Sequence, residues 1–248
     1  MRKTILITGA SSGIGEGLAR EHAAAGRDLA LCARRTKRLE ALRAELSSKH
    51  PNIKVVVRAL DVTDHPQVFR VFEEFAAELG SLDRIIVNAG IGKGRGIGTG
   101  HFETNKETAE TNFVAALAQC EAAVAIFRRQ QRGHLVVISS MSALRGMPKN
   151  LTTYAATKAG LSSLAEGIRA ELMATKIKVS AIFPGYIETE ITAGGKGLPF
   201  IVDAVKGCRA MFHAIEREPA RAFVPAWPWA LFARLMAWMP LRVVAKLA

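Results

Sequence analysis

Short runs of aliphatic and β-branched residues alternate along the chain with longer stretches whose apolar positions recur at helical spacing. Lys3–Thr8, Asp28–Ala33, Lys54–Ala59, Arg84–Asn88, His134–Ser139, Lys178–Phe183 and Ala222–Pro225 read as strands. Gly13–Ala25, Lys37–Ser48, Pro66–Leu79, Thr108–Arg129 and Tyr154–Ala174 read as helices between them. The strands are near-continuous Val, Ile and Leu rather than strictly alternating, as expected where helices cover both faces of a parallel sheet. The pattern predicts an α/β fold, a single doubly wound domain without linker or repeat. Ligands bind such sheets outside the carboxyl ends of the strands, so the chemistry is expected in the segments after each strand.

The first of those segments is TGASSGIG, Thr8 to Gly15, lying between the first strand and the first helix. Its glycines permit a tight turn, close backbone approach to a pyrophosphate and helix–strand packing, and the helix start offers free N–H groups to anions. The second strand ends in LCARR. An NAD site would usually place an acid here to hold the adenosine ribose hydroxyls. Arg34 and Arg35 instead offer charged, forked donors to a 2′-phosphate, so NADP(H) is the expected cofactor. A Walker-type phosphate loop is absent, because GGKG at 194–197 lacks the upstream glycine and the following Ser or Thr.

Composition narrows the partners. With 248 residues the chain can bury one substantial core, and its formal net charge of +12 favours phosphate-bearing ligands or an anionic surface. No aromatic stacking platform or basic recognition helix points to nucleic acid. Cys32, Cys120 and Cys208 are widely spaced and read as buried thiols of a reducing compartment; no His or Cys pattern predicts a metal. The opening MRKTILITGASSG has the basic-then-apolar order of a signal peptide. Its apolar core is too short and ends in the glycine turn, so it reads as the first strand of a cytoplasmic protein.

Further motifs occur in order: LDV with Asp61, NAG at 88–90, Asn112, ISS at 138–140, YAATK at 154–158 and PGYIET at 184–189. With TGASSGIG they make the chain resemble the short-chain dehydrogenase/reductase family over roughly residues 3–225. The resemblance implies a Rossmann-type catalytic domain at 1–225, with a substrate-covering segment at about 188–217 and an apolar basic tail at 226–248. It implies that hydride passes between nicotinamide and a carbonyl or alcohol carbon while Tyr154 moves the accompanying proton. An unperturbed phenol has a pKa of about 10, and Lys158, one helical turn on, supplies the positive charge expected to favour phenolate. By resemblance Lys158 also bonds the nicotinamide ribose, and Asn112 helps hold a water relay to it.

Family members usually carry a polarising serine thirteen residues before the tyrosine, a position that is Met141 here. Alignment through Pro148 makes Lys149–Thr153 one residue longer than usual, so Ser140 is the match, Ser142 the fallback and Ser139 structural. The cofactor residues implied are Gly9, Ser11, Ser12, Gly13, Ile14, Arg34, Arg35, Asp61, Val62, Asn88, Ala89, Gly90, Tyr154, Lys158, Pro184, Gly185, Ile187 and Thr189. Asn88 also reads as a structural hydrogen-bonder.

Gly90 to Gly100, with glycine at every second position, reads as a mobile lip of the substrate cleft, either with Lys93 and Arg95 meeting an acidic group or as a plain flexible connection. Thr192 to Phe200 reads as a second mobile piece. The tail holds all three tryptophans, basic residues and no acid, and Pro228 and Pro240 divide it into segments too short to span a bilayer. It suits either a membrane interface or a terminal helix docked over the substrate pocket or a partner subunit. Both favour a lipophilic carbonyl substrate and allow peripheral attachment at the inner face of a membrane. The small residues Ala155, Ala156, Ala159 and Gly160 favour a homodimer or homotetramer. A non-catalytic NADP(H)-binding scaffold is the alternative of a different class, and the intact Asn112, Tyr154 and Lys158 set argues against it.

Overall fold

The computed structural model describes residues 2–190, 192 and 200–245. Seven strands form one parallel sheet: β1 Thr4–Thr8, β2 Asp28–Ala33, β3 Val55–Ala59, β4 Arg84–Val87, β5 Gly133–Ile138, β6 Ile177–Pro184 and β7 Arg221–Val224. Each falls within a residue or two of its predicted run. Every residue of β1, β4 and β5 is buried, which is why these strands read as continuous apolar runs.

The helices are α1 Gly13–Ala24, α2 Thr36–Lys49, α3 His65–Leu79, α4 Phe102–Ala109, α5 Ala115–Gln130, α6 Thr152–Glu171, α7 Ala204–Glu216, α8 Ala226–Trp238 and α9 Leu241–Val244. One core packs Phe72, Phe75, Phe127 and Leu161 from α3, α5 and α6 against one face of the sheet. A second packs Leu18, Leu39 and Met211 from α1, α2 and α7 against the other. Local chemistry sets several ends. The Asp64 carboxylate accepts the Gln67 N–H at the start of α3, and Gly80 closes that helix at φ 78°.

Two helical readings need correction. The stretch predicted as Thr108–Arg129 begins earlier, at Phe102, and passes through a π turn at Glu110–Val114 before continuing as α5. The extra residue in that turn leaves no mark on a 3.6-residue hydrophobic pattern. Helix α7 was not predicted; Asp203 caps it through the Lys206 N–H at 2.9 Å. It packs so closely on α1 that a β-carbon on Gly17 would lie 2.3 Å from Cys208 Sγ. Cys32, Cys120 and Cys208 are all buried free thiols, whose pKa values burial pushes up.

The strand order, β3-β2-β1-β4-β5-β6-β7, reverses between β1 and β4, and the crevice opens there at their carboxyl ends. The opposite edge is closed by a buried polar network. Arg84, fully buried at the start of β4, donates through Nε to His134 Nδ1 at 2.8 Å and through Nη1 to Glu216. Since Nδ1 accepts, Nε2 carries the proton toward Ser180 Oγ at 2.8 Å, and burial with the nearby Arg84 charge pushes the His134 pKa down to about 3.

His22 is also fully buried, edge-on to Phe212, with no hydrogen-bond partner for either ring nitrogen among the described residues. Burial, reinforced by Arg84, Arg27 and His134, holds it neutral. The unfolded chain protonates these histidines below about pH 6.5 while the native state does not, so stability falls as pH drops, by at most about 1.4 kcal/mol per unit per histidine. Urea titrations at about pH 8 and about pH 5.5 are expected to show a smaller midpoint difference for His22→Leu than for the wild type.

Candidate active site

The crevice is held open by a tie between the two diverging strands. Thr8 Oγ1, at the end of β1, accepts the Asn88 and Ala89 N–H groups at 3.0 and 3.1 Å. Asn88 Nδ2 returns a bond to the Thr8 carbonyl at 2.9 Å. Asn88 therefore has a structural task, one of the two readings its sequence position allowed.

The glycine loop then crosses these strand ends at close range. Gly9 has φ 65°, and a β-carbon on it would stand 2.9 Å from Ala89 Cα. One on Gly15 would stand 2.4 Å from the Gly9 carbonyl oxygen.

The resulting cleft has a volume of about 490 Å³. Gly9, Ser11, Ser12, Gly13, Ile14, Arg34, Arg35, Asp61, Val62, Asn88, Ala89, Gly90, Tyr154, Lys158, Pro184 and Thr189 all line it. Two expected cofactor residues lie elsewhere. Gly185 and Ile187 line an adjoining pocket of about 220 Å³, where Gly185 lies under the Trp229 indole and Ile187 packs on Gly207. The segment predicted as one strip over the cofactor thus alternates between two cavities. Among the described residues no cluster of His, Cys, Asp and Glu suits a metal.

At the inner end of the cleft, α6 brings Tyr154 and Lys158 to the end of β5. Ser139 Oγ donates to the Lys158 carbonyl at 2.9 Å, fixing helix to strand, and Lys158 Nζ donates to the Ile138 carbonyl at 2.8 Å. Nζ lies 5.9 Å from the centre of the Tyr154 ring. Ser140, two residues past the end of β5, accepts the Ser142 N–H at 3.1 Å and acts to lower the pKa of the phenol. Ser140, Ser142 and Tyr154 all line the adjoining pocket. The long segment before α6 is taken up by a 3-10 turn at Lys149–Leu151, with Lys149 at φ 58°.

The electrostatics differ from the expectation. Burial pushes the Tyr154 pKa up, the Ser140 hydrogen bond pulls against it, and Tyr186 adds to the rise. Burial lowers Lys158 to about 8. Desolvation, rather than the anticipated pull of the ammonium toward phenolate, thus sets the direction, and the phenol is neutral at neutral pH. Asn112, buried in the π turn, clamps Ile91: Nδ2 donates to its carbonyl and Oδ1 accepts its N–H, both at 2.8 Å. This fixes the strand-end loop beside Lys158, where a β-carbon on Gly90 would stand 3.1 Å from Asn112 Oδ1 and 3.5 Å from Lys158 Nζ.

The adjoining pocket shares Tyr154, Ile14, Gly92, Pro184 and Thr189 with the cleft. Its remaining wall is mostly apolar, with Met141, Met147, Tyr186 and, from α8, Trp229, Phe232 and Met236, and also carries Ser140, Ser142, Asn150 and Thr192. Trp229 is 3% exposed, whereas Trp227 and Trp238 are 77% and 90% exposed. The tail therefore docks on its own pocket through one face and leaves the other bare.

Sequence reading missed Thr8, Tyr186, Met236 and Glu190. Glu190 accepts from Arg35 and Arg38 at the cleft rim, 155 positions along the chain from Arg35, and no local pattern announces it. At the lip, Lys93 meets Glu107 at 2.8 Å, while Arg95 Nη1 donates to the Gly94 carbonyl at 3.3 Å. The second glycine-rich piece lies outside the described residues except for Thr192 and Phe200.

Residues 3–196 match the short chain dehydrogenase family. An uncharacterized oxidoreductase of Mycobacterium tuberculosis is 53% identical over 247 residues, covering 100% of this chain and 98% of that protein. The 11-beta-hydroxysteroid dehydrogenase 1A of Arabidopsis thaliana is 33% identical, covering 91% of this chain and 69% of its own. Among solved structures, a short-chain dehydrogenase from Sphingobium yanoikuyae in complex with NADPH superimposes with a TM-score of 0.83 at 30% identity, covering 94% of this chain and 92% of that one. With an all-parallel sheet, a glycine loop at its switch point and this agreement over most of its length, the chain belongs to the short-chain dehydrogenase family of oxidoreductases.

Proposed function

We propose that the protein is an NADP(H)-dependent oxidoreductase that interconverts a lipophilic carbonyl compound and its alcohol. The observation that carries this reading is the position of Tyr154 on the wall common to a glycine-rimmed cleft and an apolar pocket. A nicotinamide dinucleotide fits the residues of the cleft: the glycine loop admits close backbone approach, and Arg34 and Arg35 suit a 2′-phosphate. When bound, the cofactor supplies or accepts the hydride. Two similar proteins support the details, since one solved structure holds NADPH and the Arabidopsis protein is named for a hydroxysteroid.

In reduction, Tyr154 donates its phenolic proton to the substrate oxygen while the Ser140 hydroxyl donates a hydrogen bond to the same oxygen. Burial keeps that phenol protonated beforehand, the state that reduction requires. The Lys158 ammonium stabilises the phenolate left behind, and Asn112 positions the loop beside it. The opposite direction needs the phenolate as base, so the same environment handicaps alcohol oxidation at neutral pH. A non-catalytic scaffold would have no use for a tyrosine, a serine and a buried lysine converging on one apolar pocket.

The tail suits peripheral attachment of a cytoplasmic enzyme to the inner face of a membrane. Trp227, Leu231, Leu235, Trp238 and Leu241 are exposed, with Arg234 and Arg242 beside them and no acid in the segment. No helix among the described residues is long and apolar enough to cross a membrane. The catalytic domain ends near residue 225, and α8 of the tail completes its pocket. A homodimer or homotetramer is the proposed assembly. Ala155 and Gly160 are already used within the chain, the first in a cluster with Met236 and the second against Phe113, whereas Ala156 is exposed.

Assays of carbonyls graded by chain length are expected to show turnover with NADPH that rises with apolar length; turnover confined to short polar carbonyls would overturn the lipophilic reading. Tyr154→Phe is expected to lower kcat by about 10²–10⁴-fold while NADPH binding, followed by nicotinamide fluorescence, changes little. The reduction rate is expected to fall as pH rises through about 8, where Lys158 loses its charge. In sedimentation with vesicles, anionic lipid is expected to retain the protein better than zwitterionic lipid. The Trp227→Ala/Trp238→Ala double variant is expected to lose that retention and keep its turnover of a water-soluble carbonyl.

A further inference from the structure

The backbone that leaves β6 crosses the glycine loop and brings an acid to the basic corner of the cleft. Thr189 sits against Gly13, with Cγ2 3.4 Å from where a β-carbon on that glycine would stand. The next residue, Glu190, accepts from Arg35 Nη1 at 2.9 Å and from Arg38 Nη1 at 2.5 Å. Arg35 spends its other donors on the glycine loop: Nε donates to Ser11 Oγ at 3.2 Å, and Nη2 donates to Ser12 Oγ. The hydroxyls aim the guanidinium, and the carboxylate takes the edge that remains. Arg34, by contrast, has Asp61 at 3.9 Å.

We propose that Glu190 is a cofactor-selectivity residue whose carboxylate occupies the Arg35–Arg38 pair in place of the ribose 2′-phosphate, so that a phosphorylated dinucleotide must displace it and an unphosphorylated one need not. The proposal rests on the reading of the cleft as an NADP(H) site and adds a competitor for its basic corner. Carboxylate and phosphate carry the same sign and compete for the same Nη1 donors. Arg38 and then Arg35 hold the Glu190 pKa down at about 2, so it is ionised at every working pH. Both ion pairs are solvent-exposed and therefore weak, which makes the carboxylate a displaceable occupant rather than a permanent block. A 2′-phosphate brings more charge and three acceptor oxygens and wins the exchange, at some loss of affinity.

The test is calorimetric titration of wild type and Glu190→Gln with NADPH and NADH, and with adenosine 2′,5′-bisphosphate and 5′-AMP as probes without nicotinamide. Glu190→Gln is expected to bind NADPH and the bisphosphate about threefold to tenfold more tightly, with NADH and 5′-AMP unchanged. Glu190→Asp, which keeps the charge on a shorter stem, is expected to fall between the two. An unaltered NADPH-to-NADH affinity ratio in Glu190→Gln overturns the proposal, as does an equal change for all four ligands, the mark of a merely structural role. Wild type that binds NADH but not NADPH overturns the NADP(H) reading itself. Wild type that prefers NADPH, with a ratio Glu190→Gln leaves unmoved, overturns only the role of Glu190.

Discussion

The cleft depends on one hydroxyl. Where β1 and β4 diverge, Thr8 Oγ1 takes both N–H groups that would otherwise be left at the end of β4, and Asn88 returns a bond to the Thr8 backbone. Backbone donors buried at a strand end need partners, and here the partner lies on the neighbouring strand rather than in solvent. The tie permits the glycine loop to pass almost in contact with Ala89. The remaining site elements, the β5 end and the start of α6, are referenced to the same sheet edge through Ser139 and Lys158.

On that frame the titration of Tyr154 and Lys158 is set by burial more than by charge. Lys158 is desolvated and anchored to a carbonyl, and burial beside the apolar pocket holds Tyr154 neutral against the opposing pull of Ser140. The low-dielectric surroundings disfavour whichever form is charged, so they raise the phenol and lower the amine together.

The sequence disclosed what is local or periodic. Continuous apolar runs marked all the strands, and the glycine loop, the Arg34–Arg35 pair and the tyrosine-to-lysine spacing each lie within a few positions. Relations formed by the fold stayed hidden. Arg84 in an apolar strand is intelligible only beside His134 and Glu216, and Glu190 only beside Arg35. The sign of the Tyr154 shift was missed because helical spacing gives proximity, whereas burial and the direction of Lys158 Nζ belong to the packed structure. The π turn was invisible for a similar reason. One added residue changes which side chain faces the cleft without disturbing the apolar count.

Helix α8 carries indoles in two contrasting environments. Trp229 lies inside the apolar pocket with Tyr186, Phe200 and Phe232 edge-on around it, while Trp227 and Trp238 stand in solvent. Since the chain has three tryptophans in all, its intrinsic emission divides into a component shielded from aqueous quenchers and one open to them. A molecule entering the pocket perturbs the shielded component, and a surface settling on the outer side of the helix perturbs the open one. The protein thus carries separate optical reporters on the inner and outer sides of this helix.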